Sequence, residues 1–444
     1  MADAWGERMP RSLGLLSAVA VSIGITVGSG IFRVPATVAG LLHEPGPILL
    51  CWLIGGVMAL CGALTVAELA AALPRSGGMF AYILEGFGPL AAFLFGWAEL
   101  TVVRAAALGA IATIFAEYLG HFVPLSEGGV RRTAALVIVV VGVLNYIGLR
   151  RAAAVLSVTT YAKYAALLAL GLLAYSAVGG SWRHLAPAAS VQFSLSLTAT
   201  ALIPVMWAYD GWADLAFIGG EVSNPQRTLP LALILGSVGV ALVYLVVNLG
   251  FMYALPLPAM AGSKLIAATV AGNIPLLAGT GAAVITALVL VATFSGLNAS
   301  LMVGARIFYA MGDRGLLFRA VARISPRFDS PSVAIAICTA LGVIYVLQND
   351  FAQLADKFIL GIWPFYVLTV AAVFVLRRRR PELPRPYRVW GYPVVPAVFL
   401  LGSLGMVTNA LITDPGNTGV TLLIVAAGLP VYWVRGRWVS LRLR

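Results

Sequence analysis

The feature that most constrains this chain is a succession of apolar runs that reach or exceed the roughly 20 residues an α-helix needs to cross the hydrocarbon core of a bilayer. The run PILLCWLIGGVMALCGALTVAELAAAL at 47–73 is one of them. Inside lipid no water is available to backbone amides and carbonyls, so a spanning element must be a helix or part of a closed barrel. These runs are continuous rather than alternating, which selects helices. Composition agrees: 61% of the residues are hydrophobic and 10% are charged, with mean hydropathy +0.96, against about 25% charged in an ordinary soluble domain. The expected fold class is an all-α membrane protein, with lipid covering most of its surface.

Cutting the runs at charges, Pro and Gly clusters predicts twelve transmembrane helices, at about 14–41, 47–73, 88–119, 133–149, 153–178, 195–221, 229–255, 275–311, 332–348, 352–376, 392–412 and 419–434. MADAWGERMPRS leads into the first run without a short h-region and cleavage site, so that run is read as a retained helix. An even number of spans puts both termini on one side, and the Lys/Arg distribution identifies it as the cytoplasm. Arg8, Arg11, Arg75, Arg150, Arg151, Arg227, Arg306, Arg314, Arg377 to Arg380 and Arg435 then lie inside, while Arg131, Arg132, Arg183, Lys264 and Lys357 are left outside. The net charge of +12 is thereby explained by topology, and no nucleic-acid partner is expected. The RRRR run at 377–380 reads as a helix stop beside anionic membrane lipid.

Cys51, Cys61 and Cys338 all fall in apolar segments and read as packing residues rather than a disulfide framework. His43, His121 and His184 are far apart in predicted loops, with no metal-site spacing. No metal and no cofactor is expected. No Walker motif supports ATP coupling, and no His/Cys cluster or Ser–Lys pair at matched depth supports an intramembrane enzyme.

Two segments carry interruptions. The first, AVSIGITVGSGIFRVPATVAG, has Gly28-Ser29-Gly30 near its middle, and the sixth, ALIPVMWAYDGWADLAFIGGEV, has Asp210-Gly211 there. One glycine pair is weak evidence, since Gly also serves close helix packing in membranes. Interruptions at corresponding places in segments one and six are what a five-plus-five inverted repeat produces around a midplane site. Unwinding frees amide N–H groups on one side and carbonyls on the other; the former suit a carboxylate and the latter an ammonium group.

Several polar side chains fall inside the segments. Lys163 in VTTYAKYAALLAL needs a polar pocket, because a lone ammonium in lipid costs several kcal/mol. Asp210 has two readings, a cap on the broken helix or a pocket carboxylate favouring cationic or polar substrates. Arg33 falls just outside the first break and Arg104 has no assigned partner, with Glu68, Glu99 and Glu117 as candidate counter-ions. In EVSNPQRTLP, Asn-Pro is expected to end one helix and start the next.

At this level of detail the chain resembles the amino acid–polyamine–organocation (APC) superfamily, and within it the L-amino-acid transporter family that includes the light subunits of heteromeric amino acid transporters. The resemblance is carried, in order, by GSGIF at 28–32, AELAAALPRSGGMFAYI at 67–83, FAEYL at 115–119, WAYDGW at 207–212, EVSNPQRTLP at 221–230, ARIFYAMGDRGLL at 305–317 and RRPELPRPYRVWGYP at 379–393. It implies a LeuT-like fold with discontinuous helices 1 and 6. The core would span 1–391, with repeat one at about 14–178 and repeat two at about 195–376, and 392–444 would hold two appended helices and a cytoplasmic C-terminus. It also implies that the Thr26 carbonyl and the Ser29 and Gly30 amides meet the substrate carboxylate. The carbonyls of Trp207, Ala208 and Asp210 would meet its ammonium. Trp207 would be the aromatic gate, a role its depth in segment six favours over that of an interfacial belt residue. The Lys163 amine would replace a sodium ion between helices one and eight. Gly28, Ser295, Asn298 and Trp363 are further pocket candidates.

The function expected is sodium-independent secondary transport of amino acids, either neutral alone or neutral and cationic, across the cell membrane by alternating access, as an exchanger or a proton-coupled symporter. The alternatives are a sodium-coupled symporter and a carrier of polyamines or other organocations on the same fold. If the chain is bacterial, no heavy-chain partner is expected.

Overall fold

The computed structural model describes residues 11, 13–74, 77–147, 163–186, 193–277, 279–313, 315–317, 319–325, 327–328 and 330–434. Residues 153–162 of predicted segment five, Arg8, Arg75, Arg150, Arg151, Arg314 and Arg435, and the Arg306 side chain lie outside the described residues. Among the described residues there is no β-strand, only one isolated bridge between Leu13 and Val222.

The helices follow the apolar runs. α1 (Leu15–Thr26) and α2 (Val34–Leu42) flank a short 3₁₀ turn, Gly30–Phe32. Then come α3 (Pro45–Ala72), α4 (Gly78–Phe87), α5 (Pro89–Leu119), α6 (Glu127–Ile147) and α7 (Lys163–Ser176). α8 (Leu195–Tyr209) is followed by a 3₁₀ helix, Asp214–Glu221, and then by α9 (Pro225–Ala254). Two short helices, Leu257–Ala261 and Ile266–Gly272, lead into α10 (Gly281–Asp313), which is followed by α11 (Ser332–Gln348), α12 (Phe351–Arg379), α13 (Val394–Thr413) and α14 (Pro415–Val434). Eight of the described helices are long and apolar enough to cross a membrane: α3, α5, α6, α9, α10, α12, α13 and α14.

Local chemistry sets several boundaries. α9 opens at Asn224, which takes the left-handed conformation at φ 46°, with Pro225 at the first helical position, where its missing N–H costs nothing. Asp350 starts α12 with a capping box, its carboxylate accepting from the Gln353 amide while the Gln353 side chain accepts from the Asp350 amide. Arg377, Arg378 and Arg379 occupy the last turn of α12, complementing the helix dipole.

Three features depart from the sequence reading. α6 begins at Glu127 rather than at 133, because exposed Arg131 and Arg132 extend a helix into water beyond its apolar stretch. α4 lies in a stretch read as a connection, since ten residues are too few to register as a span. α5 carries a π-helical stretch at Glu99–Val103. That wider turn brings residues five apart onto one face, and Arg104 Nη2 meets Glu99 Oε2 at 2.8 Å. α9 packs along α3 and α1, and α2 packs on α8, so the ends of α1 and α8 are brought together in the interior.

Candidate functional site

α1 stops because its hydrogen-bond ladder is diverted. The Gly28 amide, which would continue the helix by donating to Gly24, donates instead to the Thr26 carbonyl at 2.7 Å. The Gly24 carbonyl takes the Lys163 ammonium, at 2.7 Å, and that lysine is 5% exposed. Beyond the break, the Ser29 and Gly30 amides donate to no backbone carbonyl among the described residues. The first break thus has its carbonyl side occupied by a cation and its amide side open.

α8 stops at Tyr209. Asp210 leaves helical geometry at ψ 146°, and Gly211 follows at φ +107°, a conformation that L side chains rarely adopt. The two breaks touch through glycine. A Cβ on Gly30 would sit 2.7 Å from the Ala208 Cα, and one on Gly211 would sit 3.0 Å from the Thr26 Cα. Behind this contact, Tyr244 of α9 holds its hydroxyl 3.1 Å from the Thr26 carbonyl and 3.0 Å from the Ala208 carbonyl. One phenol therefore serves both breaks. It is held by an aromatic cluster, with Trp52 at 5.6 Å and Tyr209 at 5.1 Å between ring centroids.

The Asp210 carboxylate does not cap a helix end. Its Oδ1 accepts a hydrogen bond from the Tyr366 hydroxyl of α12. Tyr366 in turn packs on Trp212 at 4.8 Å and edge-on to Trp363 at 5.5 Å. Trp363 is fully buried and stacks on Phe399 of α13 at 5.9 Å. Ser295 and Asn298 are buried on α10, and Asn298 Oδ1 accepts from Asn145 Nδ2 at 2.7 Å.

Trp207 is 7% exposed and lies edge-on to Phe358 at 4.9 Å and to Phe351 at 6.4 Å. The charged residues find the partners that sequence alone left open. Arg33 pairs with Glu117 at 3.1 Å, and Arg104 pairs with Glu99 and donates to Ser300 Oγ at 3.0 Å. Glu68 accepts from Arg377 at 2.9 and 2.6 Å and from the Val389 amide at 2.8 Å. Arg377 also lies over the Tyr392 ring at 3.8 Å, and Arg380 meets Glu85 at 2.8 Å. Within the 377–380 run, Arg377 and Arg380 are thus engaged by the protein's own carboxylates rather than left for lipid phosphates.

These features form one constellation: two helix ends in glycine contact, a cation on one, a carboxylate beside the other and an aromatic cluster around Trp207. Sequence reasoning missed Tyr244, Tyr366, Phe351 and Phe358, which complete it. A hydroxyl isolated in the apolar run ALVYLVVNLG of α9 was the available signal for Tyr244.

Residues 13–434 match the family model for amino acid permeases. The chain belongs to the amino acid permease family. The permease is 31% identical over 430 residues to the serine/threonine exchanger SteT of Bacillus subtilis, covering 96% of this chain and 97% of that one. It is 30% identical over 436 residues to the human b(0,+)-type amino acid transporter 1, covering 96% and 88%. The human cystine/glutamate transporter is 30% identical over 439 residues, covering 97% and 86%. These relatives are transporters and not enzymes, in agreement with the APC resemblance read from the sequence motifs.

Proposed function

We propose that this permease is a sodium-independent secondary transporter that moves an amino acid across the plasma membrane by alternating access. In this reading α1 with α2, and α8 with the following 3₁₀ helix, are the discontinuous spans one and six of twelve. The spans form a five-plus-five inverted repeat with α13 and α14 appended and both termini in the cytoplasm. The substrate carboxylate meets the Ser29 and Gly30 amides, and its ammonium meets the carbonyls at the end of α8. Trp207 closes the site from outside.

The observation that carries this reading is the direct contact of two helix ends, Gly30 against Ala208 and Gly211 against Thr26. It brings the first break, whose Ser29 and Gly30 amides donate to no backbone carbonyl among the described residues, against the end of α8. Lys163 on the Gly24 carbonyl supports sodium independence, since a fixed ammonium repels a second cation from the same oxygen. The Bacillus relative is by name a serine/threonine exchanger, which supports small neutral amino acids as cargo and exchange, rather than proton symport, as the mode.

The test is uptake of labelled serine by the purified permease in lipid vesicles, in sodium buffer and in choline buffer, with and without serine inside. Equal rates in both buffers and stimulation by internal serine are expected. A strict sodium requirement overturns the coupling reading, and uptake indifferent to internal serine but driven by a pH gradient replaces exchange with proton symport.

A further inference from the structure

The exit of the first break is pinned at two consecutive residues by two consecutive residues. Tyr118 donates its hydroxyl to the Phe32 carbonyl at 2.9 Å, and Arg33 Nε donates to Glu117 Oε2 at 3.1 Å. Both pins come from the last turn of α5, and Arg33 sits where the chain has not yet resumed helical geometry, at φ −130° and ψ −42°. The Arg33 guanidinium also lies over the Phe351 ring, 5.5 Å from its centroid. Phe351 is the first residue of α12, where the capping box fixes the backbone, and it is the ring that Trp207 meets edge-on. A continuous chain of contact therefore runs from Glu117 through Arg33 and Phe351 to Trp207, joining α5, the α1–α2 break, α12 and α8.

We propose that Arg33 is the positioning residue of the outer gate: anchored by Glu117, its guanidinium holds Phe351 against Trp207 and stabilises the outward-closed arrangement. This rests on the transport reading and on the orientation that puts α2 and the start of α8 towards the outside.

The physical argument is differential. The Arg33 and Glu117 side chains are only 16% and 10% exposed, so their attraction acts in a drier medium than bulk water. A buried pair of this kind is weak evidence for overall stability, because desolvation offsets much of the attraction. Its effect on an equilibrium between two conformations is another matter. When the outer side opens, both groups regain water and the guanidinium leaves the ring, so the pair and the cation–π contact exist in the closed form alone. A contact made in one state and not the other shifts the population between them.

Two measurements test this. In the first, Phe358, which lies beneath the gate against Trp207, is replaced by Phe358→Cys and labelled from outside with a membrane-impermeant thiol reagent. The native cysteines are buried and supply a low background. Adding Arg33→Gln or Glu117→Gln should raise the labelling rate at least about five-fold, and Arg33→Lys should raise it less. The charge swap Arg33→Glu with Glu117→Arg should return the rate towards that of the parent. In the second, half-saturation for serine is compared in right-side-out and inside-out vesicles. The neutral variants should show a lower outside constant and a higher inside constant. Unchanged labelling overturns the proposal, as does a change of the same sign on both faces, which a structural pair alone would give. If neither neutral variant reaches the membrane, Phe351→Leu leaves the ion pair intact and should still raise labelling; an unchanged rate there overturns the proposal. Labelling does not depend on substrate, so a permease that moved no serine would sink the transport reading while the gate was still decided.

Discussion

At the first break the carbonyl released from the helix is taken by an ammonium, Lys163 on Gly24, whereas at the second the carboxylate of Asp210 is taken by a phenol, Tyr366. The backbones are treated alike: each break places one glycine against the other, and both share the Tyr244 hydroxyl. The side chains differ in sign. A positive charge sits beside the first break and an acidic group beside the second; on the proposed reading, the paired helix ends would receive any zwitterion and the flanking groups would grade substrates by charge. Helix ends alone would give recognition of the α-amino acid without selectivity.

The comparison is broken most severely at the glycine contact. Gly30→Ala puts a methyl 2.7 Å from the Ala208 Cα, and neither backbone can yield without separating the breaks. Thermal melting of the purified protein should show a loss of about 1–3 kcal/mol, the usual cost of overpacking, accompanied by loss of uptake. Gly28→Ala is the control, because its Cβ would meet only the Ile25 and Thr26 carbonyls at 3.7 and 3.9 Å, and its stability should stay within about 0.5 kcal/mol. Equal melting temperatures for the two variants would mean that the breaks do not touch as described.

Next comes the cation. Lys163→Met keeps the apolar stem and removes the donor to the Gly24 carbonyl. The unsatisfied carbonyl should cost roughly 1–3 kcal/mol, read from the same melts, and uptake should fall further than the folded fraction does. Full uptake by Lys163→Met would show the ammonium to be incidental to the first break.

The shared phenol is a smaller matter. Tyr244→Phe retains the ring between Trp52 and Tyr209 and deletes a single hydroxyl, so a loss of about 1 kcal/mol is expected. Because that hydroxyl lies on both breaks, its loss should weaken the effects of variants at either one. A double-mutant cycle with Lys163→Met should therefore show non-additivity, and strict additivity would separate the two breaks energetically.

Much of this organisation was legible in the sequence. Apolar run lengths gave helices close to those found, 332–348 coinciding with α11 and 352–376 lying inside α12, because lipid leaves a backbone few options. Gly28-Ser29-Gly30 and Asp210-Gly211 marked where helical geometry is left, because only glycine removes the Cβ from the contact. The partners were not legible. Arg33 and Glu117 are 84 residues apart, and Arg377 and Glu68 are 309 apart; no periodicity links such pairs. The Glu99–Arg104 pair was hidden for a local reason, since a five-residue spacing does not share a face in an α-helix and does so only through the π turn. Tyr366 read as one more aromatic in an apolar helix until the fold set its hydroxyl against Asp210.

The finest comparison concerns Asp210 itself. Its carboxylate accepts from Tyr366, and an Asn side-chain oxygen can accept the same hydrogen bond, so Asp210→Asn should change stability by no more than about 0.5 kcal/mol. Any larger effect must therefore appear in substrate choice. If the carboxylate faces the pocket, a cationic side chain entering the wild-type site would meet the remaining carboxylate oxygen in surroundings where a charge–charge contact is poorly screened. Removing that charge should weaken lysine and arginine relative to serine and leucine by about 1 kcal/mol, which is roughly a five-fold change in the competition ratio. The assay is inhibition of labelled serine uptake by each of the four amino acids, in wild type and in Asp210→Asn. A ranking that does not move would confine Asp210 to holding Tyr366 in place. Failure of lysine and arginine to compete even in wild type would mean that the phenol has already taken the carboxylate out of recognition, leaving the second break, like the first, to read only the backbone of a neutral amino acid.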